Sequence, residues 1–91
     1  MIRAGIIGYG YWGPNILRNF SENPDIEVVK VCDMSKERLK AANKNYPGLE
    51  TSLVADDVFS DKSIDLIAII TPVFSHYELA KKSLLNGKHV F

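Results

Sequence analysis

Apolar positions follow two periods along this chain, and the switches between them mark its elements. Ile2–Ile7 reads as a strand whose apolar end, Ile6-Ile7, runs into a glycine cluster, Gly8 to Gly13, which predicts a turn. Ile16, Leu17 and Phe20 then recur at helical spacing, predicting a helix from about Trp12 to Phe20. Pro14 falls in its first turn, where the missing N–H is least costly. Asn23-Pro24-Asp25 breaks the pattern, and the β-branched stretch Ile26–Cys32 predicts a second strand. Ser35 suits a helix N-cap, with Met34 and Leu39 placed as a hydrophobic staple, and Leu39, Ala42 and Tyr46 carry the helical stripe up to Pro47-Gly48.

The second half repeats the alternation. Glu50-Thr51-Ser52 reads as a short polar edge strand, and Asp56 to Ser60 as one helical turn. Ile64–Ile70 is continuously apolar after Asp65, as in a parallel strand buried on both faces. Thr71-Pro72 ends it. Ser75 and Glu78 have capping-box spacing, which predicts a helix from Ser75 with Tyr77, Ala80 and Leu84 on its inner face and Gly87 as its closing residue. His89–Phe91 begins a last strand. Strands alternating with helices imply parallel βαβ units with right-handed crossovers: one α/β domain over residues 1–91, a doubly wound parallel sheet of about five strands with helices on both faces. The first strand belongs at the centre, flanked by Ile26–Cys32 and Ile64–Ile70. The winding direction then reverses beside the glycine turn, where open α/β sheets hold ligands.

Charge narrows the partners. Eleven basic and eleven acidic residues cancel, and no basic stripe stands out, so neither nucleic acid nor an anionic membrane is an expected partner. The longest apolar run, Leu66–Ile70, is far short of the ~20 residues of a membrane span. The N-terminus lacks a signal-peptide layout, and the single cysteine, Cys32, excludes an internal disulfide; a cytoplasmic setting is expected.

Candidate chemistry gathers around Gly8-x-Gly10-x-x-Gly13. The motif alone is weak, but it lies between a strand and a helix, and Asp33 follows at the end of the second strand. Gly8 would permit the tight turn, Gly10 the approach of a pyrophosphate, and Gly13 close helix packing. N–H groups around Tyr11 and Trp12 would hold phosphates. The alternative is a ligand-free β–α turn. Asp33 would accept both ribose hydroxyls and repel a 2′-phosphate, favouring NAD over NADP; otherwise it is a helix cap beside Ser35. Lys36 could reach a 2′-phosphate or sit in solvent. Thr71, Pro72 and His76 would border the nicotinamide half, with His76 facing the cleft or solvent. Tyr11 and Trp12 could shield a cofactor, touch a substrate or pack on a helix. Arg18 reads as a solvated helix residue. Asp56, Asp57, Asp61 and Asp65 lack a neighbouring His or Cys, so no metal site is expected, and Cys32 reads as a small buried hydrophobe.

Taken together, Gly5-Ile-Ile-Gly-Tyr-Gly-Tyr-Trp-Gly13, Cys32-Asp33, Asp65-Leu-Ile-Ala-Ile-Ile-Thr-Pro72 with His76, and Gly87-Lys-His-Val-Phe91 resemble the N-terminal, Rossmann-type domain of glucose-fructose oxidoreductase/inositol dehydrogenase-type (Gfo/Idh/MocA) proteins. Tyr11-Trp-Gly-Pro-Asn15 with Arg18-Asn-Phe20 is similar to members that oxidise nucleotide-linked sugars. The resemblance implies reversible hydride transfer between a nicotinamide and a carbinol carbon of a sugar, cyclitol or nucleotide-sugar. A homo-oligomer is expected because the last strand would lie at the sheet edge with apolar surface exposed, which invites pairing. Gly8, Gly10, Gly13 and Asp33 match the family's cofactor positions; Thr71, Pro72 and His76 match its second cofactor-side motif. It also implies a Glu-Lys-Pro motif after the last strand, whose lysine assists proton transfer, and a larger second domain holding the substrate. The chain stops at Phe91, before both, and Lys88 precedes the strand. No catalytic residue is therefore expected in it, and the isolated piece should bind without turnover. The rival reading is a non-catalytic nucleotide-sensing module.

Overall fold

The computed structural model describes residues 1–91, with side chains described for all but residues 73 and 74. Five parallel strands, β1 (Ile2–Ile7), β2 (Ile26–Cys32), β3 (Glu50–Ser52), β4 (Leu66–Ile69) and β5 (His89–Val90), lie in the order β3-β2-β1-β4-β5. The helices are α1 (Gly13–Glu22), α2 (Lys36–Asn45), the short α3 (Asp56–Phe59) and α4 (Val73–Leu85). The predicted central position of β1 and the reversal beside the glycine turn are both present.

Alternation along β1 builds two cores. Ala4 and Ile6 join Leu17 and Phe20 of α1 and Leu39 and Ala42 of α2 on one face. Ile7 joins Val58 and Phe59 of α3, with Leu79 and Ala80 of α4 packed on the cluster, on the other. Ile6, Leu17 and Ile67 are fully buried, each contributing roughly 1.5–3 kcal/mol relative to exposure. Gly5 lets the second face close up: a Cβ there would lie 2.7 Å from Val58 Cγ1.

The last helix departs from expectation twice. It begins at Val73 with Pro72 as N-cap, not at Ser75. The Ser75 N–H donates to the Pro72 carbonyl (3.0 Å) and its hydroxyl lies 2.7 Å from Thr71 Oγ1, so the first turn closes before Ser75 and the capping box does not form. Its inner face also differs: Tyr77 and Leu84 are 72% and 62% exposed, whereas Ala80 is half-buried and Ser83 fully buried. Ser83 disguises the stripe because its hydroxyl donates to the Leu79 carbonyl within the helix (2.8 Å), which lets a polar residue face the core. The Met34–Leu39 staple is absent as well. The Ser35 N–H is held by Asp33, and Met34 is left 91% exposed.

Candidate functional site

The C-terminal edge of the sheet is shaped by backbone constraints. Gly8 has φ +98°, a left-handed conformation that favours glycine, and its N–H donates to the Cys32 carbonyl (2.8 Å). A Cβ there would stand 2.7 Å from the Ile70 carbonyl oxygen. Gly8 therefore lets the turn pass between the ends of β2 and β4. At Gly13, a Cβ would lie 3.0 Å from the Tyr9 ring and 3.3 Å from the Gly8 carbonyl oxygen, so the third glycine seats α1 against the turn itself.

Gly10 differs from both. Its notional Cβ meets no atom within 4 Å except the Arg38 guanidinium, 3.5 Å away. Chain packing does not require a glycine here, and the space above it is open. Among the described residues, the N–H groups of Gly10, Tyr11 and Trp12 have no acceptor in the chain. They open onto the N-terminal end of α1, whose dipole favours an anion, while Pro14 withholds the next donor. Free donors beneath an unobstructed glycine fit a pyrophosphate.

Asp33 directly follows β2 and is 8% exposed. Its Oδ2 accepts from the Tyr9 N–H (2.7 Å) and its Oδ1 from the Ser35 N–H (2.8 Å). It thus ties the glycine turn to the start of α2, which includes the cap-like role. Each carboxylate oxygen keeps further acceptor capacity, so these bonds leave ribose hydroxyls a place. Arg38 is the residue the sequence reading passed over. Its Nη1 lies 3.7 Å from Asp33 Oδ2 and it is largely exposed. The signal was available: Ser35 caps α2 by accepting from the Arg38 N–H (3.4 Å), so Arg38 lies in the first turn, against the same edge. Lys36 and Arg18 are exposed. Cys32 is buried, and burial first, then the charges of Asp33 and Asp57, push its thiol up to about 11, which keeps it an unreactive packing residue.

On the other side of the turn, Thr71 follows β4. The Thr71 carbonyl only accepts, so His76 Nε2, within hydrogen-bonding distance, carries the proton and donates to it. Thr71 Cγ2 would be 3.1 Å from a Cβ on Gly8. Trp12, Ile16, Ile69, Ile70, Thr71 and His76 line a cleft of about 560 Å³ that reaches Val90 and Phe91. Pro72 is exposed as the N-cap of α4. The fold therefore places Gly8, Gly10, Tyr11, Trp12, Gly13, Asp33, Thr71, Pro72 and His76 along one edge, divided by the turn into an Asp33–Arg38 side and a Thr71–His76 side.

Comparison with known proteins places the chain in a family. A family model described as "Oxidoreductase family, NAD-binding Rossmann fold" (GFO_IDH_MocA) matches residues 2–91. Glycosyl hydrolase family 109 protein 3 of Phocaeicola vulgatus is 31% identical over 98% of this chain, which spans 18% of that protein. The Escherichia coli protein named uncharacterized oxidoreductase YdgJ is 34% identical over 98% of the chain, spanning 25% of that protein. A solved structure, scyllo-inositol dehydrogenase of Lactobacillus casei with bound NAD(H) and scyllo-inositol, superposes with a TM-score of 0.90 at 27% identity, covering 100% of this chain and 27% of that one. The chain belongs to the Gfo/Idh/MocA oxidoreductase family as an NAD-binding Rossmann domain. It spans about a fifth to a quarter of the length of the curated relatives it matches.

Proposed function

We propose that this chain binds NAD for an oxidoreductase that moves a hydride between the nicotinamide and a hydroxyl-bearing carbon of a sugar, cyclitol or nucleotide-linked sugar. The observation that carries the reading is the pairing of acceptor-free N–H groups at Gly10–Trp12 with open space over Gly10. These groups would hold the pyrophosphate. Asp33 would accept the adenosine ribose hydroxyls while keeping the turn fixed through Tyr9. The nicotinamide, when bound, supplies the ring that gives or takes hydride; Thr71 and His76 would border it. The NAD(H)-bound inositol dehydrogenase supports the cofactor class and a cyclitol-like substrate. No proton transfer is assigned to residues 1–91, and on their own they are expected to bind without turnover. A cytoplasmic setting and a homo-oligomer belong to the same proposal. Among the described residues no helix is long and apolar enough to cross a membrane.

Arg38 favours a second reading of the cofactor, in which NADP is also accepted. Its guanidinium offsets the Asp33 charge that would repel a 2′-phosphate. Calorimetric titration of the folded chain with NAD and NADP decides. NAD alone, or NAD clearly tighter, supports the Asp33-dominated site; equal or tighter NADP binding, lost in Arg38→Ala, supports the second reading. No binding of either by folded protein removes both.

A further inference from the structure

We propose that Asn86-Gly87, in the turn between α4 and β5, is a latent self-modification site, closed by the last turn of α4 and released when that turn opens. It is the one Asn-Gly pair in the sequence. Glycine puts no side chain in the way of its own backbone nitrogen, so that nitrogen can attack the preceding asparagine amide. The bond from Gly87 N to Asn86 Cγ forms, the Cγ–Nδ2 bond breaks, and ammonia leaves with the Gly87 N–H proton. Water then opens the cyclic imide at either carbonyl, giving aspartate or isoaspartate at position 86.

The native turn opposes each requirement. Ring closure needs the Gly87 nitrogen and the Asn86 Cβ on one side of the Cα–C bond, and ψ 13° at Asn86 turns them apart. The N–H of the attacking nitrogen is already donated to the Leu84 carbonyl (3.0 Å). The side-chain amide is drawn back along the helix, where Nδ2 donates to the Lys82 carbonyl (2.8 Å). Gly87 at φ +75° and the Lys88 N–H on the Ser83 carbonyl (3.0 Å) complete a Schellman ending. The buried Lys88 ammonium then pins the chain to the Asp61 and Ile64 carbonyls. Asn86 itself is exposed, so water meets the imide as soon as it forms. Both products close the turn less well. Each loses the donor to Lys82 and puts a negative charge at the carbonyl end of α4. Isoaspartate also lengthens the backbone by a methylene just before Gly87.

The test holds the folded chain and a synthetic peptide spanning Ser83–Val90 in the same warm, mildly alkaline buffer, and follows position 86 by peptide mapping and mass spectrometry. The folded chain should react at least about tenfold more slowly than the peptide, because the reactive geometry is reached only by local opening. Lys88→Met keeps the Asn-Gly pair but removes the pin, and in folded protein it should speed the reaction at least about threefold. Asn86→Asp, which reproduces one product, should lower the melting temperature by roughly 4 °C. Equal rates in folded chain and peptide overturn the protection by the turn. Equal rates in Lys88→Met and wild type overturn its release by opening. An unchanged melting temperature in Asn86→Asp overturns the poorer closure of the product.

Discussion

The two ends of the sheet use polar groups in opposite ways. At the N-terminal end, charged side chains find partners among one another and in nearby backbone groups. Arg3 Nη1 meets Glu27 at 3.1 Å, its Nε donates to the Ser63 carbonyl, and its backbone N–H donates to Asp65. Lys30 reaches Asp61 at 3.0 Å, and the buried Lys88 ammonium donates to the Asp61 and Ile64 carbonyls (2.6 and 2.8 Å). At the C-terminal end Asp33 also holds backbone N–H groups, but among the described residues the donors at Gly10, Tyr11 and Trp12 are left without an acceptor. The first arrangement closes a loop onto the sheet; the second leaves hydrogen-bonding capacity for something else. A charged cluster is therefore a poor guide to the site in this fold, and acceptor-free backbone is a better one.

Substitutions at the two ends should separate these roles. The largest loss of stability is expected for Gly8→Val. A branched side chain at φ +98° and a Cβ 2.7 Å from the Ile70 oxygen combine backbone strain with a clash, about 3 kcal/mol or more. Thermal denaturation should find it unfolded or strongly destabilised; a wild-type melting temperature would mean the turn is not so constrained. Lys88→Met comes next. It leaves two carbonyls without their donor, and about 2–3 kcal/mol should be lost in urea denaturation without direct effect on NAD binding. An equally large loss of NAD affinity in folded protein would erase the division between the ends.

The smallest effect is expected at Asp61, and it depends on pH. Hydrogen bonds from Ser63, then from Lys30, hold its carboxyl well below the usual carboxylate range. A folded value below the unfolded one means the stabilisation is complete above the unfolded value of about 4 and is lost as pH falls towards the folded value. Asp61→Asn should cost about 1 kcal/mol near neutrality. The gap from wild type should shrink as the pH is lowered below about 4. A gap that stays constant with pH would show that the carboxylate charge contributes nothing.

Much of this was readable from residues alone. All five strands, the central place of β1 and the site edge followed from the two apolar periods and from glycine, proline and serine punctuation. What escaped depended on hydrogen bonds and contacts that residue types do not announce, some of them between elements distant in sequence. Ser83 reads as polar until its hydroxyl is seen to bond within α4, so Tyr77 and Leu84 were placed inward. Asp33 reads as a ribose acceptor or a cap, but its bond to the Tyr9 N–H joins elements 24 residues apart. Arg38 carries no signal until the fold brings its guanidinium beside Gly10 and Asp33. The different surroundings of the three glycines, a positive φ, an open space and a helix seat, likewise cannot be told from their spacing.

The most direct test of the central claim is calorimetric titration of wild type and Gly10→Val with NAD, with the melting temperature of each free protein as control. Only the flexible Arg38 side chain lies near the space a valine would enter, so the variant should fold like wild type and lose NAD binding. A folded variant that binds NAD as wild type does would contradict the placement of the pyrophosphate over Gly10.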